Sequence, residues 1–218
     1  MFLNERLSDE LIFRGVTYYI NMDFSNILRL FEMLDDKEID EFGKVVIGLQ
    51  LLIDYYSIDD EKKEFTKEIV NSLDYFEQYD LLMAILKEKL DFDIPDQENL
   101  DQSKGSRNKK KEFDFMVDGE LIYASFLMDY DIDLIEQQGQ LHWKKFLALF
   151  QGLSEQTPFM KVVHIRTMDV PKPDKHNQKE RKRIQDMKRK YALEQPDLDS
   201  GLDKAAAFLH RHAKVGGK

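Results

Sequence analysis

The first apolar cluster flanks a turn. Leu11, Ile12 and Phe13 precede Arg14-Gly15, and Val16, Tyr18 and Ile20 follow. Gly15 accepts the positive φ that a tight turn requires, so a small β-hairpin is predicted. Two strands alone are marginal and must lean on another element. From here the spacing becomes helical. Phe24, Ile27, Leu28, Phe31 and Leu34 share one face of a helix capped by Asp23 or Ser25 and ended by Asp35-Asp36. Between Val45 and Tyr56 a second stretch is apolar almost all round, as in the central helix of a bundle. A third helix begins near Asp59 or Asp60, carries Phe65, Ile69 and Val70, and breaks near Ser72. A fourth carries Leu73, Phe76, Leu82, Met83, Leu86 and Leu90.

Residues 91–111 interrupt this pattern with Pro95, Gly105 and mixed charge, the composition of a flexible linker or loop. Helical spacing then resumes. Asp118 is placed to cap a helix with Ile122, Tyr123, Phe126, Leu127 and Tyr130. An acidic turn, Asp129 to Asp133, leads to a helix with Trp143, Phe146, Leu147, Phe150 and Leu153. Another contains Phe159, Val162, Val163 and Arg166. Beyond Pro171 and Pro173, a helix capped by Asp174 has only a thin apolar stripe of Ile184, Met187 and Tyr191.

The expected fold is mainly α: a helical bundle with a small N-terminal β-hairpin and an extended basic C-terminal helix. The expected organisation is an N-terminal hairpin with an acidic helical region over 1–90, a linker over 91–111 and a second helical region over 112–170. The basic helix follows over 171–193, and a polar, fraying tail over 194–218. The two helical regions either share one core or form two subdomains.

Charge sharpens this division. Net charge is −10, yet residues 1–101 carry −15 and residues 102–218 carry +5. Opposite signs imply different surfaces and different partners. The basic residues concentrate in 172–193, where nine Lys and Arg face three Asp and Glu. Arg181, Lys182, Arg183 and Lys190 are the candidate contacts there. An acidic protein surface is the preferred partner over nucleic acid, because the chain is acidic overall and the segment lacks stacking aromatics apart from Tyr191. Trp143, Phe146 and Phe150 are expected to be core first and contact surface second.

Candidate chemistry changes the picture little. There is no cysteine, hence no disulfide or thiolate metal site. Asp129, Asp131 and Asp133 have the alternation that opens an EF-hand loop, but Leu134 replaces the turn glycine and Gln140 the bidentate glutamate. His142, His164, His176, His210 and His212 fall in no zinc-enzyme pattern. Ser103-Lys104-Gly105-Ser106 lacks the residue order of a phosphate loop. No catalytic, cofactor or metal site is therefore expected, and the expectation is a non-enzyme. No secretory signal pattern opens the chain, and the apolar run at Val45–Ile53 is short for a membrane span. A cytoplasmic protein is expected.

Three ordered blocks resemble one known family. The first runs from Phe13-Arg14-Gly15-Val16 through Tyr19-Ile20-Asn21-Met22-Asp23-Phe24. The second is Phe113-Asp114-Phe115, Asp118, Leu121-Ile122-Tyr123-Ala124-Ser125-Phe126 and Asp129-Tyr130-Asp131-Ile132-Asp133-Leu134. The third is Leu141-His142-Trp143-Lys144-Lys145-Phe146 with Leu149-Phe150, Gly152-Leu153 and Ile165-Arg166. Together they resemble the "gene product fifteen" family of tailed phages of Gram-positive bacteria, over most of residues 11–193. The resemblance implies a role in tail morphogenesis inside the host cytoplasm. It implies a tail assembly chaperone that binds the tape-measure protein, the tail tube protein or both, with self-association a further possibility. A permanent tail or connector component, and a nucleic-acid binder using residues 172–193, are the alternatives.

Overall fold

The computed structural model describes residues 7–53, 67–90 and 112–193. The expected linker over 91–111, the tail from 194, Tyr55, Tyr56, Phe65 and the start of the third helix lie outside them. The fold is mainly helical with one small antiparallel hairpin, as expected. The described chain forms two compact units. The first comprises residues up to 90 together with Gln138–Lys144; the second comprises residues 112–137 and 145–193.

In the first unit, β1 (Glu10–Phe13) pairs with β2 (Val16–Tyr19) in the register Leu11↔Tyr18 and Ile12↔Thr17. Arg14 (φ 50°) and Gly15 (φ 80°) are both left-handed, the pair of conformations a two-residue hairpin turn uses to match strand twist. Alternation sends Leu11 and Tyr18 into the core and leaves Ile12 exposed. Helix α1 (Phe24–Asp35) starts at Asp23, whose carboxylate accepts from the Ser25 amide at 3.0 Å. Its buried face is Phe24, Ile27, Leu30, Met33 and Leu34, while Leu28 and Phe31 are half-buried. Helix α2 (Glu41–Ile53) buries Val45, Leu49, Leu52 and Ile53. Residues 67–72 are helical, and α3 (Tyr75–Lys89) follows. Asp74 and Glu77 form a reciprocal capping box at its start. Leu81, Leu82, Ile85 and Leu86 are its core residues; Phe76, expected on the apolar face, is instead 61% exposed. Phe76 lies about two and a half turns from buried Ile85, on the opposite side of α3, so that ring points outward and lies edge-on to Tyr75.

Helix ends in this unit are closed by side-chain and backbone donors from neighbouring segments. The carbonyl of Leu51 accepts from buried Asn26 at 2.9 Å, and that of Leu52 from the Asn21 amide at 2.5 Å. Lys44 donates to the Leu34 carbonyl at 2.7 Å. These bonds answer carbonyls that the last turn of a helix leaves without partners. Gln138–Lys144 joins the unit through the backbone: the Phe24 amide donates to Leu141 (2.9 Å) and the Trp143 amide to Met22 (2.7 Å). The segment falls within the second helical region by sequence, yet it packs with the first unit because these bonds and the Trp143 ring draw it there.

The second unit contains α4 (Gly119–Tyr130), the rest of α5 (Trp143–Gln151) after Lys144, α6 (Pro158–Thr167) and α7 (Gln178–Lys190). Its core is aromatic. Phe126 stacks on Phe146 at 5.2 Å, and Phe150 meets Phe113, Phe115, Phe146 and Phe159 within 5.0–5.9 Å. Thr157 caps α6, and the buried Ser125 hydroxyl accepts from the Phe159 amide at 3.1 Å while donating to Leu121. Asp118 occupies the cap position of α4 but makes no capping bond to that helix. Its carboxylate is engaged elsewhere, as described next. Asp174 likewise does not cap α7, which begins after Asn177.

Candidate partner-binding site

The basic segment folds as a helix with almost no buried surface. Ile184, Met187 and Tyr191 lie half-buried on one side of α7, and no residue of α7 is buried. So thin an apolar stripe supplies little hydrophobic fixation, and polar bonds to α6 supply the rest. Lys188 donates to the carbonyls of Arg166 (2.8 Å) and Met168 (2.6 Å), at the C-terminal end of α6. In return, Arg166 donates through Nε to the Tyr191 carbonyl at 2.7 Å, at the C-terminal end of α7. Each helix thus provides a cation for the negative end of the other's dipole. Arg181 adds a bond to the Pro171 carbonyl.

Arg166 is itself fixed by a buried ion pair. Its two terminal nitrogens reach the Asp118 carboxylate at 2.6 and 2.8 Å, and one also reaches the Glu112 carbonyl at 3.2 Å. Asp118 is 1% exposed and also accepts from the Asp114 amide at 3.0 Å. The planar guanidinium fits this arrangement because it presents several donors in one rigid fork. One residue therefore joins the start of α4, the end of α6 and the end of α7.

This geometry sorts the candidate residues. Arg181 faces inward and helps hold the helix. Lys182, Arg183 and Lys190 are exposed, with Lys179 on the same side of the helix. Asp186 interrupts this basic stripe and pairs with Arg189. Lys190 also lies over the Tyr191 ring, 5.3 Å from its centre. Trp143 is 4% exposed, with its ring edge-on to Phe31 at 5.5 Å. Phe146 and Phe150 are interior residues of the second unit. Of the candidate residues, exposed Lys182, Arg183 and Lys190 are open to a partner, whereas Trp143, Phe146 and Phe150 are interior.

The acidic turn gives its three aspartates separate tasks. Asp129 accepts from Ser154, through the amide at 2.7 Å and the hydroxyl at 3.1 Å. Asp131 ends α4 in a left-handed conformation (φ 54°). Asp133 accepts from the amides of Ile135 and Glu136 and from the Tyr123 hydroxyl. Burial pushes the Asp133 carboxyl up, but these three bonds hold it below its ordinary value. The carboxylates diverge, and among the described residues no group of His, Asp and Glu is arranged to hold a metal. No described helix is long and apolar enough to cross a membrane. The histidines at 210 and 212 and the segment Ser103–Ser106 lie outside the described residues.

The model of the family described as Bacteriophage Gp15 protein matches residues 4–193 of this chain. The chain belongs to that family. No curated protein and no solved structure matches it. The Gp15 match spans both units and ends at Leu193, just past α7. The basic helix is thus within the family's extent. Sequence reasoning found that helix but missed the Asp118–Arg166 pair and the role of Lys188. A signal for them existed in outline: a charged residue at the end of an apolar helix, where a cation can meet another helix's free carbonyls.

Proposed function

We propose that this Gp15-family chain is a tail morphogenesis factor acting as an assembly chaperone in the host cytoplasm, without enzymatic activity. Its partners in this reading are the tape-measure protein and the tail tube protein. The observation that carries the reading is the family match over residues 4–193. The fold adds a physical means. α7 offers an outward row of Lys179, Lys182, Arg183 and Lys190 on a helix fixed by bonds from its inner side. Exposed charge of this kind steers encounter with an acidic surface and speeds association more than it tightens the final complex.

Purified chain is mixed with tape-measure and tube proteins of the same phage, and affinity is measured at near-physiological salt. Binding to at least one of them is expected, with Lys182→Glu/Arg183→Glu slowing association. Absence of binding to both sinks the proposal. Presence of the chain in purified virions turns the assignment to a structural tail component. One specific observation favours a nucleic-acid reading: the exposed lysines of α7. That reading requires DNA or RNA affinity that falls steeply with salt and is lost in the same double variant.

A further inference from the structure

Helix α4 is apolar on two opposite sides. Ile122, Ser125 and Phe126 are buried in the second unit. The other side is uncovered: Leu127 is 43% and Met128 58% exposed, with half-buried Leu121 and Ala124 beside them. Positions 121, 124 and 128 fall in line at helical spacing, and the line spans about 10 Å at 1.5 Å per residue. Val117, 69% exposed, precedes it, and Ile135, 66% exposed, follows the helix. A helix packed on one side ordinarily turns polar residues to water; this one turns Leu127 and Met128 outward as well as Glu120.

The chain segment that carries this face has charge of one sign, although Asp118 is buried and paired with Arg166. Residues 112–137 contain eight Asp and Glu and no Lys or Arg. Glu120 and Asp131 are exposed at the margin of the face itself. An apolar strip with an acidic rim repels acidic and polar surfaces and selects a ligand with the inverse pattern. We propose that the outer face of α4 docks an amphipathic helix of a partner protein, one whose apolar stripe is flanked by Lys and Arg. The partner's apolar residues at i, i+3, i+4 and i+7 cover Leu121, Leu127 and Met128, and its cations meet Glu120 and Asp131. This deepens the partner-binding reading above and rests on it, since it supplies the kind of segment that is bound. It is a surface distinct from the basic stripe of α7 and opposite to it in sign.

The test uses the full chain and two synthetic peptides of identical Leu and Lys composition. In one the leucines form a single helical stripe; in the other they are scrambled round the helix. Fluorescence anisotropy measures both affinities. The striped peptide binds about tenfold tighter or better, a difference equal to about 1.4 kcal/mol. Leu127→Ser/Met128→Ser lowers its affinity to that of the scrambled peptide while circular dichroism stays unchanged, since both residues are exposed. Glu120→Lys weakens both peptides. Equal binding of the two peptides, or an unchanged affinity in the serine variant, overturns the proposal. A drop in the mass of the free chain in light scattering on making the serine variant also overturns it, because the face then serves a second copy. If tape-measure or tube protein binds wild type and serine variant alike, the docking face fails and the assembly reading stands. If the striped peptide binds as expected but neither tail protein does, the assembly reading fails and the face stands.

Discussion

Removing the Asp118 carboxylate tests the idea that one buried ion pair holds α7 in place. In Asp118→Ala, Arg166 keeps its bonds to the carbonyls of Tyr191 and Glu112 but loses two charge-assisted bonds of 2.6 and 2.8 Å. The side chain of Arg166 is 9% exposed, so water replaces the lost partner poorly. Leaving one member of a buried pair without its counter-charge costs about 3–5 kcal/mol. For a chain of this size each kcal/mol lowers Tm by about 2–4 °C, so a fall of about 6–20 °C is expected. Thermal melts by circular dichroism measure it. Hydrogen exchange provides the local readout: amides of α7 lose protection, because Arg166 no longer sits where it meets Tyr191. In Asp118→Ala/Arg166→Met the charge itself is gone, and the double variant is more stable than the sum of the single losses predicts. A fall of under about 2 °C in Asp118→Ala, or strict additivity in the cycle, refutes the reasoning.

Phe150→Ala removes a ring that touches four other phenylalanines, and a loss of about 3–5 kcal/mol in urea denaturation is expected. Gly15→Ala places a Cβ at φ +80° with no steric neighbour, so the cost is conformational alone, about 1 kcal/mol, read by the same method. Tyr79 is pushed up to about 12, by burial first and then by Tyr75, Asp80 and Glu41. In ultraviolet titration of the folded chain it ionises later than an ordinary tyrosine near 10, and Tyr79→Phe removes that late step. Since its pKa is raised on folding, its contribution to stability is complete below about pH 10 and is lost as pH rises toward about 12.

Helix existence was legible wherever spacing was strong. The hairpin, a cap at Asp23 or Ser25, the end of α1 at Asp35 and the placing of Phe146 and Phe150 on one face of a helix follow directly from local pattern. What escaped depended on partners far along the chain. Phe76 and Leu81 are equally apolar in a list of residues, but only packing against α2 decides which turns inward. Asp118 has the right type and position for a cap, and local rules cannot see the arginine at 166 that takes its carboxylate. The basic helix was plain from its charge, whereas the division between inward Arg181 and Lys188 and outward Lys182 and Arg183 needed the position of α6. The outer face of α4 was hidden for the opposite reason: Leu127 reads as a core residue when only its chemistry is known.

The backbone pairing of Gln138–Lys144 with the first unit has a consequence in time. During synthesis the residues of the hairpin, α1, α2 and α3 leave the ribosome well before Leu141 and Trp143. Until those two emerge, the Phe24 amide has no Leu141 carbonyl to donate to, the Met22 carbonyl has no Trp143 amide to accept from, and Phe31 has no indole beside it. Joining positions so far apart also carries a loop-closure cost that grows with the intervening length. The earlier-made part of the protein is therefore finished by its later-made part. A truncation after α3 removes, along with the second unit, the segment Gln138–Lys144 that completes the first.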